Sequence, residues 1–144
     1  MLEFHSSSTS AVNSRRAVAE CLENALGETS LDCELILFYT TMGHNFTELL
    51  AEFHRLSPRA RIAGCTCAGV IGREGPNESM RALAIMAVRG PRTEIAVAGQ
   101  EKITKVSSYD VARRLAEDLK GQNPAVSIIF FHPSSLGVFP EDAI

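Results

Sequence analysis

The stretch ELILFY, residues 34–39, decides the fold of this chain. It is a nearly continuous apolar run rich in β-forming residues, which is typical of a strand buried on both faces. Asn45 follows, with Glu48 three positions later, and this capping-box pattern predicts the start of a helix. A second short strand is predicted over residues 60–65. Strand, helix and strand in about 35 residues predict a βαβ unit with parallel strands.

Upstream of this unit, the sequence predicts a short strand and a helix. Residues 2–5 are an extended candidate, and the polar run 6–10 is either a loop or the start of a helix. Apolar side chains at 3.6-residue spacing predict a helix over residues 13–26. Gly27 stands where a C-terminal cap belongs.

Downstream of the unit, the pattern predicts a β-meander. Residues 68–72 and 80–88 predict a hairpin, and residues 93–98 predict the next strand. A last helix is expected over residues 107–120, with a strand over residues 125–131. The predicted fold class is therefore α/β: a mixed β-sheet with flanking helices, in which a βαβ unit is followed by a β-meander.

Composition indicates a globular domain in the cytoplasm. The 144 residues are 45% apolar and 22% charged, and the net charge of −3 lacks the basic footprint of a nucleic-acid-binding protein. No apolar run approaches the roughly 18 residues of a membrane span, and no secretion signal begins the chain. The four cysteines are therefore expected as thiols. Pro140-Glu141-Asp142 is typical of a helix start, so we expect the domain to continue beyond Ile144.

Two loops are candidates for a ligand site, because each follows a strand of the predicted parallel pair. Ligands of open α/β sheets lie beyond the carboxyl ends of parallel strands, close to helix N-termini. Hydroxyls, amides and small residues in these loops suit a small polar ligand. An ordinary pair of strand exits is an equally good interpretation of the pattern. The candidate ligand-binding residues are Thr40, Thr41, His44, Asn45, Gly64, Cys65, Thr66, Cys67, Ala68 and Gly69.

No catalytic constellation is visible in the sequence, so we expect the protein not to be an enzyme. A disulfide between Cys65 and Cys67 would be strained, and neither Cys21 nor Cys33 is an obvious partner for a zinc site. His44 is the best single ligand candidate among the histidines, although the pattern favours a surface or structural role over ligand binding. No metal site is therefore predicted.

The segment RIAGCTCAGVIG, residues 61–72, resembles the signature of the FIST domain family. In that family a buried strand leads into a loop of the type Gly-Cys-Ser/Thr-Ser/Thr-Ala-Gly-Glu-Ile. This chain departs from it at Cys67, where Ser or Thr is usual, and at Val70, which replaces a common Glu. The resemblance covers essentially the whole chain. It implies that residues 1–144 form an N-terminal FIST-like sensory domain, incomplete at its C-terminal end, with the functional loop at Gly64, Cys65, Thr66, Ala68 and Gly69.

The resemblance implies a cytoplasmic signal-transduction domain that binds an amino acid or a related metabolite without a cofactor. Such a domain would relay binding to a C-terminal FIST domain or a histidine kinase, with neither nucleic acid nor membrane as a partner. The alternative is a haem-based nitric-oxide sensor that regulates a histidine kinase, with His44 as the axial haem ligand. A third hypothesis, an enzyme with Cys65 or Cys67 as nucleophile, requires a low-pKa thiolate beside a base.

Overall fold

The computed structural model describes residues 1–100 and 107–125 and divides the chain into two compact units, Met1–Arg92 and Thr93–Ile144. The first unit alternates strands and helices before it ends in three more strands. Its elements are β1 (Glu3–Thr9), α1 (Ser14–Leu26), β2 (Leu35–Thr40), α2 (Phe46–Leu56), β3 (Arg61–Thr66), β4 (Val70–Gly72), β5 (Gly75–Asn77) and β6 (Leu83–Arg89).

The main sheet has four strands in the order β1-β6-β2-β3. Strands β2 and β3 are parallel, with Leu35 opposite Arg61 and Thr40 opposite Thr66, which confirms the predicted βαβ unit. Strand β6 is antiparallel to both β1 and β2. The sheet is therefore mixed and flanked by helices, as the α/β prediction required.

The predicted meander is wrong in its connections. The hairpin pairs β4 with β5 in a separate two-stranded sheet, with Gly75 at φ 108° in its turn. Strand β6 does not extend this hairpin, because its run LAIMAVR is buried on both faces and is suited to the middle of a sheet. The strand predicted over residues 93–98 is absent: a 3₁₀ turn spans Arg92–Glu94, and irregular backbone follows to residue 100.

The serine run at the N-terminus belongs to β1, which extends to Thr9 and is longer than predicted. Alternation along this strand buries Ser7 and Thr9 and leaves Ser6 exposed. Pairing with the apolar strand β6 keeps this polar segment extended, since the ladder satisfies its backbone groups. Tertiary pairing thus overrides the loop-like composition of the run.

Helices α1 and α2 pack on one face of the sheet and build the main core with it. Phe38 of β2 is 1% exposed, and its ring centroid lies 5.3 Å from that of Phe53 and 5.4 Å from that of Phe46. A smaller cluster on the opposite face contains Val70, Ala82 and Ala84, against which Tyr39 and Cys67 pack. The two faces of the sheet therefore carry a large and a small apolar layer.

The second unit contains helix α3 (Ser108–Gln122), which confirms the last predicted helix. Arg113 lies on its exposed side, 3.8 Å from the carboxylate of Asp110 and 3.4 Å from that of Glu117. The predicted strand over residues 125–131 lies outside the described residues except for Ala125, and the predicted helix start at Pro140 lies entirely outside them. Within the described ranges, no helix is long and apolar enough to cross a membrane.

Candidate functional site

The first turns of α1 and α2 meet at the hydroxyl of Ser14. The Asn45 backbone N–H donates to Ser14 Oγ at 3.0 Å, and the same oxygen lies 3.3 Å from Nδ1 of His44. Each helix is capped by an asparagine: the Asn13 side chain accepts from the N–H of Arg16, and the Asn45 side chain accepts from the N–H of Glu48. Ser14 therefore ties two capped helix N-termini together.

The surroundings of His44 disfavour a charged ring. Its Nδ1 faces the Ser14 hydroxyl, whereas its Nε2 is buried and has no hydrogen-bond partner among the described residues. His44 is 8% exposed, and burial lowers its pKa from 6.5, an effect only partly offset by the nearby Arg81 carbonyl. His44 is thus a neutral, structural histidine at neutral pH.

A cleft of about 860 Å³ opens beside these two helix N-termini. It is lined by the β1–α1 connection, the first turns of both helices and the segment that enters β6. Its charged lining residues are Arg16, Glu20, Glu48 and Arg81. Two positive helix ends, two guanidinium groups and two carboxylates therefore surround one space, which is suited to a small ligand that carries both charges.

Two of the four charged groups form an ion pair with each other. Arg16 Nε lies 3.9 Å from Glu20, whose carboxylate accepts from the Thr9 hydroxyl at 2.6 Å. Arg81 donates to the Val12 carbonyl at 3.2 Å. Within the described part of the chain, neither Arg81 nor Glu48 makes an ion pair, although both line the cleft. This leaves one cation and one anion for a ligand.

The first predicted loop contributes to the cleft only in part. Asn45 lines it, together with the neighbouring Gly43. Thr40 and Thr41 are buried, and both hydroxyls donate to the Ala82 carbonyl, at 3.2 and 3.5 Å. The Thr41 hydroxyl also accepts from the Ala82 N–H at 2.8 Å. The two threonines therefore fix the start of β6 against the end of β2.

The second predicted loop lies outside the lining of this cleft. Gly64 and Cys65 belong to β3 itself, and a side chain at Gly64 would collide with the Phe38 carbonyl oxygen, so glycine is required there for packing. Thr66 and Ala68 are exposed, and Gly69 is half-buried. The Cys67 N–H donates to the Thr40 carbonyl at 2.9 Å. The two loops are therefore neighbours, as predicted, yet the cleft is formed by only one of them.

Cys65 and Cys67 lie on the sheet face opposite the helices. Tyr39 pairs with Cys65 in the β2–β3 ladder and packs with Cys67 against the small apolar cluster. Burial raises the pKa of both thiols, and the proximity of Cys65 raises that of Cys67 further. This direction is opposite to the one that a cysteine nucleophile requires.

Ser14, Glu20 and Arg81 line the cleft but were absent from the predicted site. A signal for them existed in the caps: Asn13 follows β1 as Asn45 follows β2, and both strands point to the same edge of the sheet because each is antiparallel to β6. Arg81 precedes β6, which therefore enters the sheet at that edge. The predicted β1 was too short to reveal this arrangement.

The FIST N domain family matches residues 34–141 of this chain. The chain belongs to the FIST family. FIST domains are sensory domains of signal transduction, and the match begins at β2 of the first unit and continues into the second, leaving β1 and α1 outside it. No curated protein and no solved structure matches the chain.

Proposed function

We propose that this FIST domain binds a small zwitterionic ligand, an amino acid or related metabolite, in the cleft at the N-termini of α1 and α2. The ligand carboxylate is directed to Arg81 and the helix N-termini, and the ammonium group to Glu48. The observation that carries the proposal is that Arg81 and Glu48 line one cleft without an ion pair to any described residue.

Signalling follows from the position of the ligand between two helices. The Ser14 hydroxyl joins the first turns of α1 and α2, so a ligand that bridges the two helix ends stabilises one arrangement of them over others. A partner that contacts either helix then responds to occupancy. We propose a C-terminal FIST domain or a histidine kinase as that partner, in the cytoplasm, with binding rather than catalysis as the role of this domain.

The haem hypothesis has no supporting observation at His44. Its Nδ1 contacts Ser14, its ring is buried, and it is not part of the lining of the cleft, into which four charged side chains extend. These residues do not fit a haem group. Among the alternatives, the zwitterion site is therefore the function that the geometry favours.

Thermal unfolding of the chain against a panel of amino acids, related metabolites and haem tests the proposal. A ligand at 100 times its Kd stabilises the fold by about 2.7 kcal/mol, which raises the melting temperature by several degrees. We expect a shift with at least one amino acid and none with its decarboxylated or N-acetylated analogue, because each analogue lacks one of the two charges.

Arg81→Gln should abolish this shift, while Arg73→Gln should retain it. Arg73 is a matched control, since it is exposed in the β4–β5 turn and does not line the cleft. An undiminished shift in Arg81→Gln would place the ligand elsewhere. A shift with haem alone, accompanied by a Soret band, would instead support the haem sensor.

A further inference from the structure

The polar side chains that line the cleft are largely occupied by bonds within the protein. Each of a set of lining side chains has an oxygen that already accepts a hydrogen bond from another group of the chain. They are Thr9, Ser10, Asn13, Ser14, Glu20 and Asn45. The carboxylate of Glu48 also belongs to the lining, and no described residue bonds to it. A donor group on a ligand therefore finds one uncommitted side-chain acceptor in this cleft.

The charges of the lining match one anion and one cation on the ligand and no third charge. Arg16 and Glu20 neutralise each other at 3.9 Å. Arg81 and Glu48 are assigned above to the ligand carboxylate and ammonium group, so the inference that follows rests on the proposed function. A charge on the ligand's own side chain would lose hydration in the cleft without a counter-charge. The cleft therefore disfavours basic and acidic amino acids.

Apolar surface adjoins the group assigned to the ligand carboxylate. Val12 lines the cleft and is 64% exposed, and the neighbouring Ala11 is half-buried in the same lining. The Val12 carbonyl accepts from Arg81 at 3.2 Å, so the backbone of Val12 directly contacts the cation that would hold the carboxylate. The side chain of an α-amino acid branches from the carbon next to its carboxylate. A hydrocarbon side chain at that point can cover Val12, and removal of both apolar surfaces from water favours binding.

We propose that the cleft selects an α-amino acid with an uncharged aliphatic side chain, which packs against Val12 and Ala11. A hydroxyl or amide on the ligand side chain would be covered without a free side-chain oxygen to receive its proton, because Glu48 already binds the ammonium group. Amino acids of the leucine, isoleucine and valine class are therefore the expected ligands, ahead of polar amino acids of similar size.

Isothermal titration calorimetry of the chain with two pairs of amino acids tests this selectivity. L-leucine and L-alanine differ in apolar surface, and leucine should bind about tenfold more tightly or better. Its heat-capacity change on binding should also be more negative, since leucine buries more apolar surface. L-norleucine and L-lysine share a four-carbon side chain and differ in the terminal ammonium group of lysine, so norleucine should bind more tightly.

Val12→Ser should remove most of the roughly tenfold preference for leucine over alanine while it leaves alanine binding unchanged. Ile71→Ser is the matched control, because Ile71 is an 85%-exposed aliphatic residue of β4 that does not line the cleft. It should retain the full preference for leucine. Both substitutions remove an exposed hydrocarbon side chain, so a difference between them reports on the cleft.

The outcomes separate this inference from the proposed function. Equal affinities for leucine and alanine, or for norleucine and lysine, would overturn the aliphatic selectivity and leave the proposed function intact if Arg81→Gln still abolishes binding. An unchanged preference in Val12→Ser would also overturn it, because the ligand side chain would then lie away from Val12. Failure of every amino acid to bind the wild-type chain would overturn the proposed function and this inference together.

Discussion

The loops that follow β2 and β3 begin at adjacent positions of the sheet and end in different surroundings. Thr40 is opposite Thr66 in the parallel ladder, so both loops leave the same sheet edge. The first runs beneath the helices, where His44 and Asn45 contact Ser14. The second carries Cys67 to the opposite face, against the small apolar cluster. Adjacent strand ends have thus produced two separate environments.

The difference shows that strand order brings the two loops to the same sheet edge, whereas the alternation of side chains decides which face of the sheet each loop lies on. Phe38 and Thr40 point toward the helix layer, while Tyr39 between them points away. The loop after β2 continues on the helix side of the sheet and lines part of the cleft. The loop after β3 places its thiols on the same side as Tyr39. We therefore expect the two regions to be separable by mutation.

Replacement of the central aromatic residue on each face should give the largest contrast. Phe38→Ala removes a 1%-exposed ring between Phe46 and Phe53, which should lower the free energy of unfolding by about 3–5 kcal/mol. Tyr39→Ala removes a half-buried ring from the smaller cluster and should cost less than about 2 kcal/mol. Urea unfolding followed by circular dichroism measures both.

If Phe38→Ala fails to fold, Phe38→Leu provides a milder test and should still destabilise more than Tyr39→Phe. Equal losses for the two faces would contradict the conclusion that the helix side holds the main core.

Removal of the hydroxyl that joins the two helices should have an intermediate effect. Ser14→Ala leaves the Asn45 N–H and His44 Nδ1 without a partner, which should cost about 1–3 kcal/mol by the same urea assay. Ser6→Ala is the matched control, because Ser6 is exposed on β1, and it should change stability little. An equally small effect in both variants would show that water replaces the Ser14 bridge.

Much of the fold follows from local patterns, because strong apolar runs and caps agree with the final structure. ELILFY, the Asn45 cap and the Gly27 cap each mark an element that the structure contains. The serine run of β1 and the position of β6 between β1 and β2 were missed. The pairing of β1 with β6 joins residues more than 70 positions apart, and that of β2 with β6 joins residues more than 40 apart, so no local window contains either.

The candidate site was predictable to a smaller degree. Asn45 was identified from its position after a buried strand, and it does line the cleft. Arg81 and Ser14 come from segments that β6 and β1 bring to the same edge, so their role depends on the unpredicted strand order. Side-chain direction at Cys65 and Cys67 was equally hidden, since it depends on the β2–β3 register.

Mild acidification should destabilise the region around His44 and leave the region around Cys65 and Cys67 unchanged. Burial lowers the pKa of His44 below its unfolded value of 6.5, so the unfolded chain binds more protons as the pH falls through this range. The contribution of neutral His44 to the free energy of unfolding should therefore be complete above pH 6.5. It should decrease toward pH 5, by at most about 1.4 kcal/mol per pH unit for one proton. Cys65 and Cys67, whose pKa values are raised from 9.0, stay protonated throughout.

Urea unfolding between pH 7.5 and 5 measures how the free energy of unfolding changes with pH. The variants are compared by this slope and not by their absolute stabilities. His44→Gln should flatten the pH dependence, because glutamine keeps a polar group beside Ser14 but does not titrate. An unaltered slope in His44→Gln would mean that protonation of His44 is not resisted by its surroundings, and that the Ser14 bridge accommodates a charged imidazole. The loop after β2 would then accept a buried positive charge without loss of stability.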